Sequence, residues 1–188
     1  MRLTTIPGTV MAYDPRMGQE LFAAVSSLWQ AAGGLSLSQI TALTGLEATT
    51  IQNWVKRGWV SRTVGKKYSR RQIARILLIN VLRDSLPLEK IAALLSGVNG
   101  SVEDASDDII DEGELYDRLC RLLSQMDDLR SGTAVIREAV GGQLADYSGP
   151  KADSKERLAI ALEVMVLAYQ ASRLKRLAEQ RLTEWLSE

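Results

Sequence analysis

The stretch 36–67, SLSQITALTGLEATTIQNWVKRGWVSRTVGKK, constrains the fold of this chain more than any other. It divides into two short apolar-periodic segments joined at Gly45, followed by a basic tail. Ser36 with Gln39 three residues later is a capping-box pattern. Leu37, Ile40 and Leu43 give that first helix an apolar side, and Gly45 supplies its stop. A second helix is expected over residues 48–57. Ile51, Trp54 and Val55 fall on one side of it, and Thr49, Gln52, Asn53 and Lys56 on the opposite one, at about 100° per residue. Two short helices across a tight glycine-bearing turn form the helix-turn-helix pattern.

Charge gives that pattern a partner. Between Glu47 and Asp84 there is no acidic residue, while nine basic ones occur, so a formal net charge of zero hides a strongly basic module. The polar stripe has the chemistry to read a duplex. Gln and Asn can each make two hydrogen bonds to an adenine edge, Thr offers a hydroxyl and a methyl, and Lys reaches guanine or phosphate. Thr50 and Arg57 adjoin the stripe and complete the set on this helix. A merely solvated helix face would look the same. The surrounding cations shift the reading towards nucleic acid.

Beyond Gly58, Trp59 and Val60 read as a short strand, 63–66 as a turn and Lys67 with Tyr68 as the returning strand. This predicts a hairpin, or wing, whose Arg62, Lys66 and Lys67 would touch phosphates and give affinity without sequence information. Tyr68 either closes the apolar side of the hairpin or donates to a phosphate. Ser69 and Gln72 form a second capping box, opening a helix to about residue 84. Its Ile73, Ile76, Leu77, Val81 and Leu82 wrap much of the circumference, which predicts a central, buried helix. Arg70 and Arg71 stand in its first turn, where the helix dipole disfavours cations unless an anion approaches. Pro87 restarts the chain into LEKIAALLSG, with Gly97 as the expected stop.

The order of these elements resembles the MerR-type winged helix-turn-helix over residues 36–97. Gly45, Trp54, Arg57, Gly58, Arg62, Tyr68 and the LEKIAALL segment sit where that pattern places its turn, aromatic, basic, glycine, wing and packing residues. Asp107, Asp108, Ile110, Leu115 and Tyr116 are similar to the acidic "DD-I-EGELY" stretch of uncharacterised bacterial MerR-like proteins. The resemblance implies a bacterial transcriptional regulator that dimerises through C-terminal helices and reads paired half-sites. Gln52 and Asn53 stand where many such helices carry Arg-Tyr, so no operator sequence carries over. The metal-sensing branch uses cysteines after the DNA-binding domain. Cys120 is the one cysteine here, so that branch is not expected.

The same lone cysteine forbids an intrachain disulfide and points to a reducing, cytoplasmic setting. The start of the chain lacks the apolar run of a signal peptide, and the most apolar window, 158–169, is too short to span a membrane. With no histidine, neither a Ser-His-Asp nor a Cys-His nucleophile can be built. No enzyme, metal or cofactor is expected.

Residues 98–128 reverse the charge, with ten acidic residues against Arg118 and Arg121. Three readings stay open: a solvated loop with acids at a helix N-terminus, a divalent-cation site, or a segment that folds against the basic face and competes with DNA. Helices are expected from about 114, with Cys120 among its apolar residues, over 133–147, and from about 153 unbroken to 187. Ile160, Val164, Leu167, Ala171, Leu174, Ala178 and Trp185 recur at coiled-coil steps, either a homodimer seam or a domain core. An amphipathic helix over 18–32 precedes the basic module.

The expected class is therefore mainly α: a winged helix-turn-helix with a small β-hairpin wing, plus an all-helical C-terminal domain ending in a long helix. The expected organisation is an N-terminal segment and helix (1–35), a DNA-binding domain (36–97) and a helical dimerisation or effector region (98–188). The expected function is transcriptional regulation on double-stranded DNA, with an unidentified small-molecule or protein effector. The alternative is a protein-interaction module using the helical C-terminal half. The candidate DNA-binding residues are Thr49, Thr50, Gln52, Asn53, Lys56, Arg57, Arg62, Lys66, Lys67, Arg70 and Arg71.

Overall fold

The structure is a computed structural model that describes residues 5–14, 26, 31–63, 65–126 and 132–187. Among them are seven helices and one two-stranded antiparallel sheet. In chain order they are β1 (Leu35–Ser36), α1 (Leu37–Thr44), α2 (Ala48–Lys56), β2 (Lys67–Tyr68), α3 (Arg70–Leu82), α4 (Leu88–Asn99), α5 (Glu112–Gln125), α6 (Thr133–Gln143) and α7 (Ser154–Leu186). The mainly helical class is as expected. The helix expected over 18–32 lies almost wholly outside the described residues.

Both capping boxes form. Ser36 Oγ accepts from the Gln39 amide at 3.3 Å while Gln39 Oε1 accepts from the Ser36 amide at 2.9 Å. Ser69 and Gln72 repeat this at 3.4 and 2.7 Å. Each pair satisfies two amides that a helix start leaves orphaned, which fixes where α1 and α3 begin.

α3 lies at the centre, touching α1, α4, α5, α7 and β2. Every residue from Gln72 to Ile79 is buried. The apolar core is one cluster running from Ile6 to Ala168, and α3 packs more extensively on α5 than on any other element. Core packing thus crosses the boundary expected at 97/98 without a break.

The sheet departs from expectation. β2 pairs with β1, in the register Leu35 to Tyr68 and Ser36 to Lys67, rather than with residues 59 and 60. The reason lies at the end of α2. Gly58, at φ 74°, turns the chain so that its amide bonds Val55 O at 3.1 Å and the Trp59 amide bonds Trp54 O at 2.9 Å. This is a Schellman closure. The Val60 amide also points to Trp54 O, at 3.4 Å, and the Val60 side chain is buried. Amides spent on closing a helix cannot form a strand ladder, so Trp59 and Val60 belong to the connection that leads into β2. Gly34 allows the new pairing, since at φ 97° a Cβ there would stand 2.4 Å from Tyr68 O.

Three boundaries shift for local reasons. α4 runs past Gly97 to Asn99, whose buried amide donates to Ile110 O at 2.5 Å, and Gly100 ends it at φ 51°. α5 begins at Glu112, two residues before the expected 114, because Asp111 rather than a later residue caps it. α6 stops at Gln143 rather than continuing to 147, in keeping with the poor helix propensity of Gly141 and Gly142. Ahead of β1, Thr5 and Ala12 form an isolated bridge, and Pro7 O accepts from the Tyr116 hydroxyl at 2.5 Å.

α7 is unbroken over 33 residues, about 50 Å long. Its buried side chains end at Ser172, and from residue 174 to 187 every residue is exposed. Of the seam positions Val164 is half-buried and the others are exposed, with Ile160 54%, Leu174 49% and Trp185 69% exposed. They are not the domain core. No helix among the described residues is long and apolar enough to cross a membrane.

Candidate nucleic-acid interface

α1 and α2 meet across Gly45, whose amide bonds Thr41 O at 2.9 Å. Ile51 and Trp54 then anchor α2 in the core at 0% and 2% exposure. That anchoring decides the opposite face. Thr49, Gln52, Asn53, Lys56 and Arg57 are all exposed, and Thr50 is half-buried. The structure therefore brings the six candidates of this helix onto one accessible surface.

The far end of that surface is a cleft of about 610 Å³ between α2 and the start of α4. Thr50, Asn53, Lys56 and Arg57 line one side, Glu89 the other, and Trp54, Trp59 and Leu88 its apolar parts. The Arg57 guanidinium stacks over the Trp59 ring at 5.1 Å and lies 3.5 Å from a Glu89 carboxylate oxygen.

Arg62 and Lys66 are exposed between α2 and β2, Lys67 is exposed in β2, and Lys66 holds a left-handed backbone at φ 67°. Lys67 Nζ donates to Ala32 O, which ties β2 to the segment before β1. Arg70 and Arg71 are placed differently. Arg70 pairs with Asp111 at 2.9 Å. Arg71 pairs with Asp108 at 3.1 Å and also donates to the carbonyls of Ser101 and Asp104. The acidic segment is thus a strap across the first turn of α3, and it supplies the anion that the dipole argument required there. Asp111 does a second task, accepting from the Gly113 and Glu114 amides to cap α5. No group among the described residues has the make-up to hold a metal ion.

Beneath the strap lies an ion pair that the sequence did not single out. Arg75 and Glu112 are 2% and 1% exposed and meet at 2.6 Å. Arg75 Nε also donates to Trp59 O at 2.6 Å, so the pair joins α3, α5 and the end of the α2 turn. Arg75 Nη2 and Glu112 Oε2 have no hydrogen-bond partner. Burial raises the Glu112 carboxyl above its ordinary range, and Arg75 opposes this. The available signal was a lone arginine inside the buried IARILLI run.

Asp108 carries the same conflict nearer the surface. Burial pushes its carboxyl up to about 6 from an ordinary 3.8, against the pull of Arg71. As pH rises, the unfolded chain therefore loses this proton first, and on this account stability falls between about pH 4 and pH 6. Asp108→Asn is expected to flatten that fall. Melting temperatures of both proteins across this range measure it, and superimposable pH profiles would refute it.

Cys120 is buried and free, and burial drives its thiol far above the ordinary range, which leaves it a small core residue. A second cleft, of about 570 Å³, lies between the strap, α5 and the turn after α6, where Tyr147 donates to Ile109 O.

Residues 32–119 match the family described as "Domain of unknown function (DUF1836)". That span runs from the turn before β1 into α5, so it holds the exposed face of α2, the strap and the Arg75–Glu112 pair. The chain is also similar to the "Uncharacterized protein YkrK" of Bacillus subtilis (strain 168), 33% identical over 93 residues. That similarity spans 47% of this chain and 40% of the relative. No solved structure matches.

Proposed function

We propose that this chain is a DNA-binding transcriptional regulator of the MerR-like helix-turn-helix kind, acting as a homodimer. One observation carries the reading. A short helix pinned by Ile51 and Trp54 presents Thr49, Gln52, Asn53 and Lys56 outward, beside exposed Arg62, Lys66 and Lys67 in a stretch that bears no acid. α2 enters the major groove, and Arg62, Lys66 and Lys67, between α2 and the start of β2, take the place of the hairpin wing in holding phosphate. Dimerisation is supported by the apolar row of α7 at coiled-coil spacing, all of it outside the core. A second copy of α7 would cover that row and place two α2 helices on successive half-sites.

The test is binding to a pool of genomic duplex fragments over a salt series, followed by sequencing of the bound fraction. Arg62→Ala and Lys66→Ala are expected to weaken binding on all sequences and to lower the salt slope by about one each. Gln52→Ala is expected to relax preference at one base pair by about 1–3 kcal/mol. Absence of binding at low salt would overturn the proposal.

A second reading, a protein-interaction module, is favoured by the arm of α7, where Leu174, Leu177, Leu182, Trp185 and Leu186 are exposed. It predicts co-purification of a partner that depends on this arm, together with no retardation of DNA.

A further inference from the structure

The cleft between α2 and α4 holds Arg57, Trp59 and Glu89, which the major-groove reading does not use. Its basic residues, Lys56 and Arg57, sit at the C-terminal end of α2, where the helix dipole attracts cations and repels anions. An anion here must therefore be drawn by these side chains and not by the helix end. Arg57 is prepared for that. Its guanidinium lies over the Trp59 ring at 5.1 Å, a cation–π contact on the cleft wall, and its N–H fork matches the paired oxygens of a phosphodiester. Asn53 and Thr50, one and two turns back along the same edge, supply further donors.

Glu89 opposes this use. Its carboxylate lies 3.5 Å from Arg57, with the two side chains 70% and 62% exposed, so an incoming phosphate meets a negative charge already in place. Exposed pairs of this kind contribute little to stability, so the contact is poorly explained as a structural brace.

We propose that the α2–α4 cleft is the subsite for one backbone phosphodiester of bound duplex DNA, and that Glu89 holds Arg57 in its place until DNA displaces it. This rests on the DNA-binding reading above. Glu89 then lowers affinity uniformly, without reading sequence. It limits residence on non-specific DNA.

The experiment compares the wild-type protein with Glu89→Gln on a labelled random-sequence duplex, by fluorescence anisotropy over a salt series. Removing a unit charge about 7 Å from a phosphate in near-aqueous surroundings tightens binding about threefold. That gain should shrink towards none as salt is raised. It should also vanish when both proteins carry Arg57→Ala. Equal affinities of the wild-type and Glu89→Gln proteins at low salt would overturn the subsite, and so would a gain that persists without Arg57. If the wild-type protein binds no duplex at all, the DNA-binding reading falls and the subsite with it. Binding without a Glu89 effect removes the subsite alone. Melting temperatures measured alongside establish that both variants are folded.

Discussion

Glu112→Gln is expected to destabilise the fold by about 3–5 kcal/mol, the usual cost of leaving one member of a buried ion pair without its counter-charge. The guanidinium of Arg75 is 2% exposed and cannot turn to water. An arginine guanidinium keeps its proton in a folded protein, so the charge stays where it is. Folded proteins of this size are stable by about 5–15 kcal/mol in total, so the loss is a large share. Urea unfolding followed by far-ultraviolet circular dichroism measures it, and a loss below about 1 kcal/mol would show that the pair is solvated. Replacing both partners, as Arg75→Met with Glu112→Leu, is expected to recover most of the loss, because the desolvation cost of both charges is removed together. The recovery should be incomplete, since Trp59 O loses its donor. The comparison separates two roles. If the double variant is stable but binds DNA less well, the pair serves to hold the α2 turn against α3.

Trp54→Ala carries the second large effect, about 3–5 kcal/mol, from the burial lost and the cavity left. Trp54 is 2% exposed and is the largest of the side chains that fasten α2 to the core. Its carbonyl also receives the Trp59 and Val60 amides, so a shift of its backbone loosens the closure at Gly58. DNA affinity should fall with stability and on every sequence, unlike the effect of Gln52→Ala. Trp54→Phe, which keeps an aromatic ring in the site, should lose clearly less. Urea titration of the three proteins checks the order. Equal stability of the alanine variant and the wild type would mean that α2 is held from elsewhere.

What the sequence revealed was mostly local. Both capping boxes, the stop at Gly45, the buried α3 and the unbroken α7 follow from spacings of three or four residues, and helix starts are decided at that range. The strand partner was not legible. Trp59 and Val60 suit a strand as well as a core, and the choice fell to amides already used at the end of α2. The strap was visible only as one of three readings. Its pairs join residues 37 and 41 positions apart, and charge composition alone does not say which cation an acid will meet. Glu112 was hidden for a related reason. Within a run of acids it looks like every solvated neighbour, and only the packing of α5 on α3 separates it from them.

The pairing of β1 with β2 bears on how α1 and α2 move. It joins residue 35 to residue 68, so α1, α2 and the basic loop all hang within one closed chain segment. Its ends are clasped by a ladder only two residues long, and its hold on the body comes through buried side chains such as Ile40, Ile51, Trp54 and Val60 and through hydrogen bonds from Gln72, Arg75 and Asn80 of α3 to its carbonyls. Such a segment opens and closes as a single cooperative unit rather than fraying from one end. The residues proposed to contact DNA are therefore ordered together or released together.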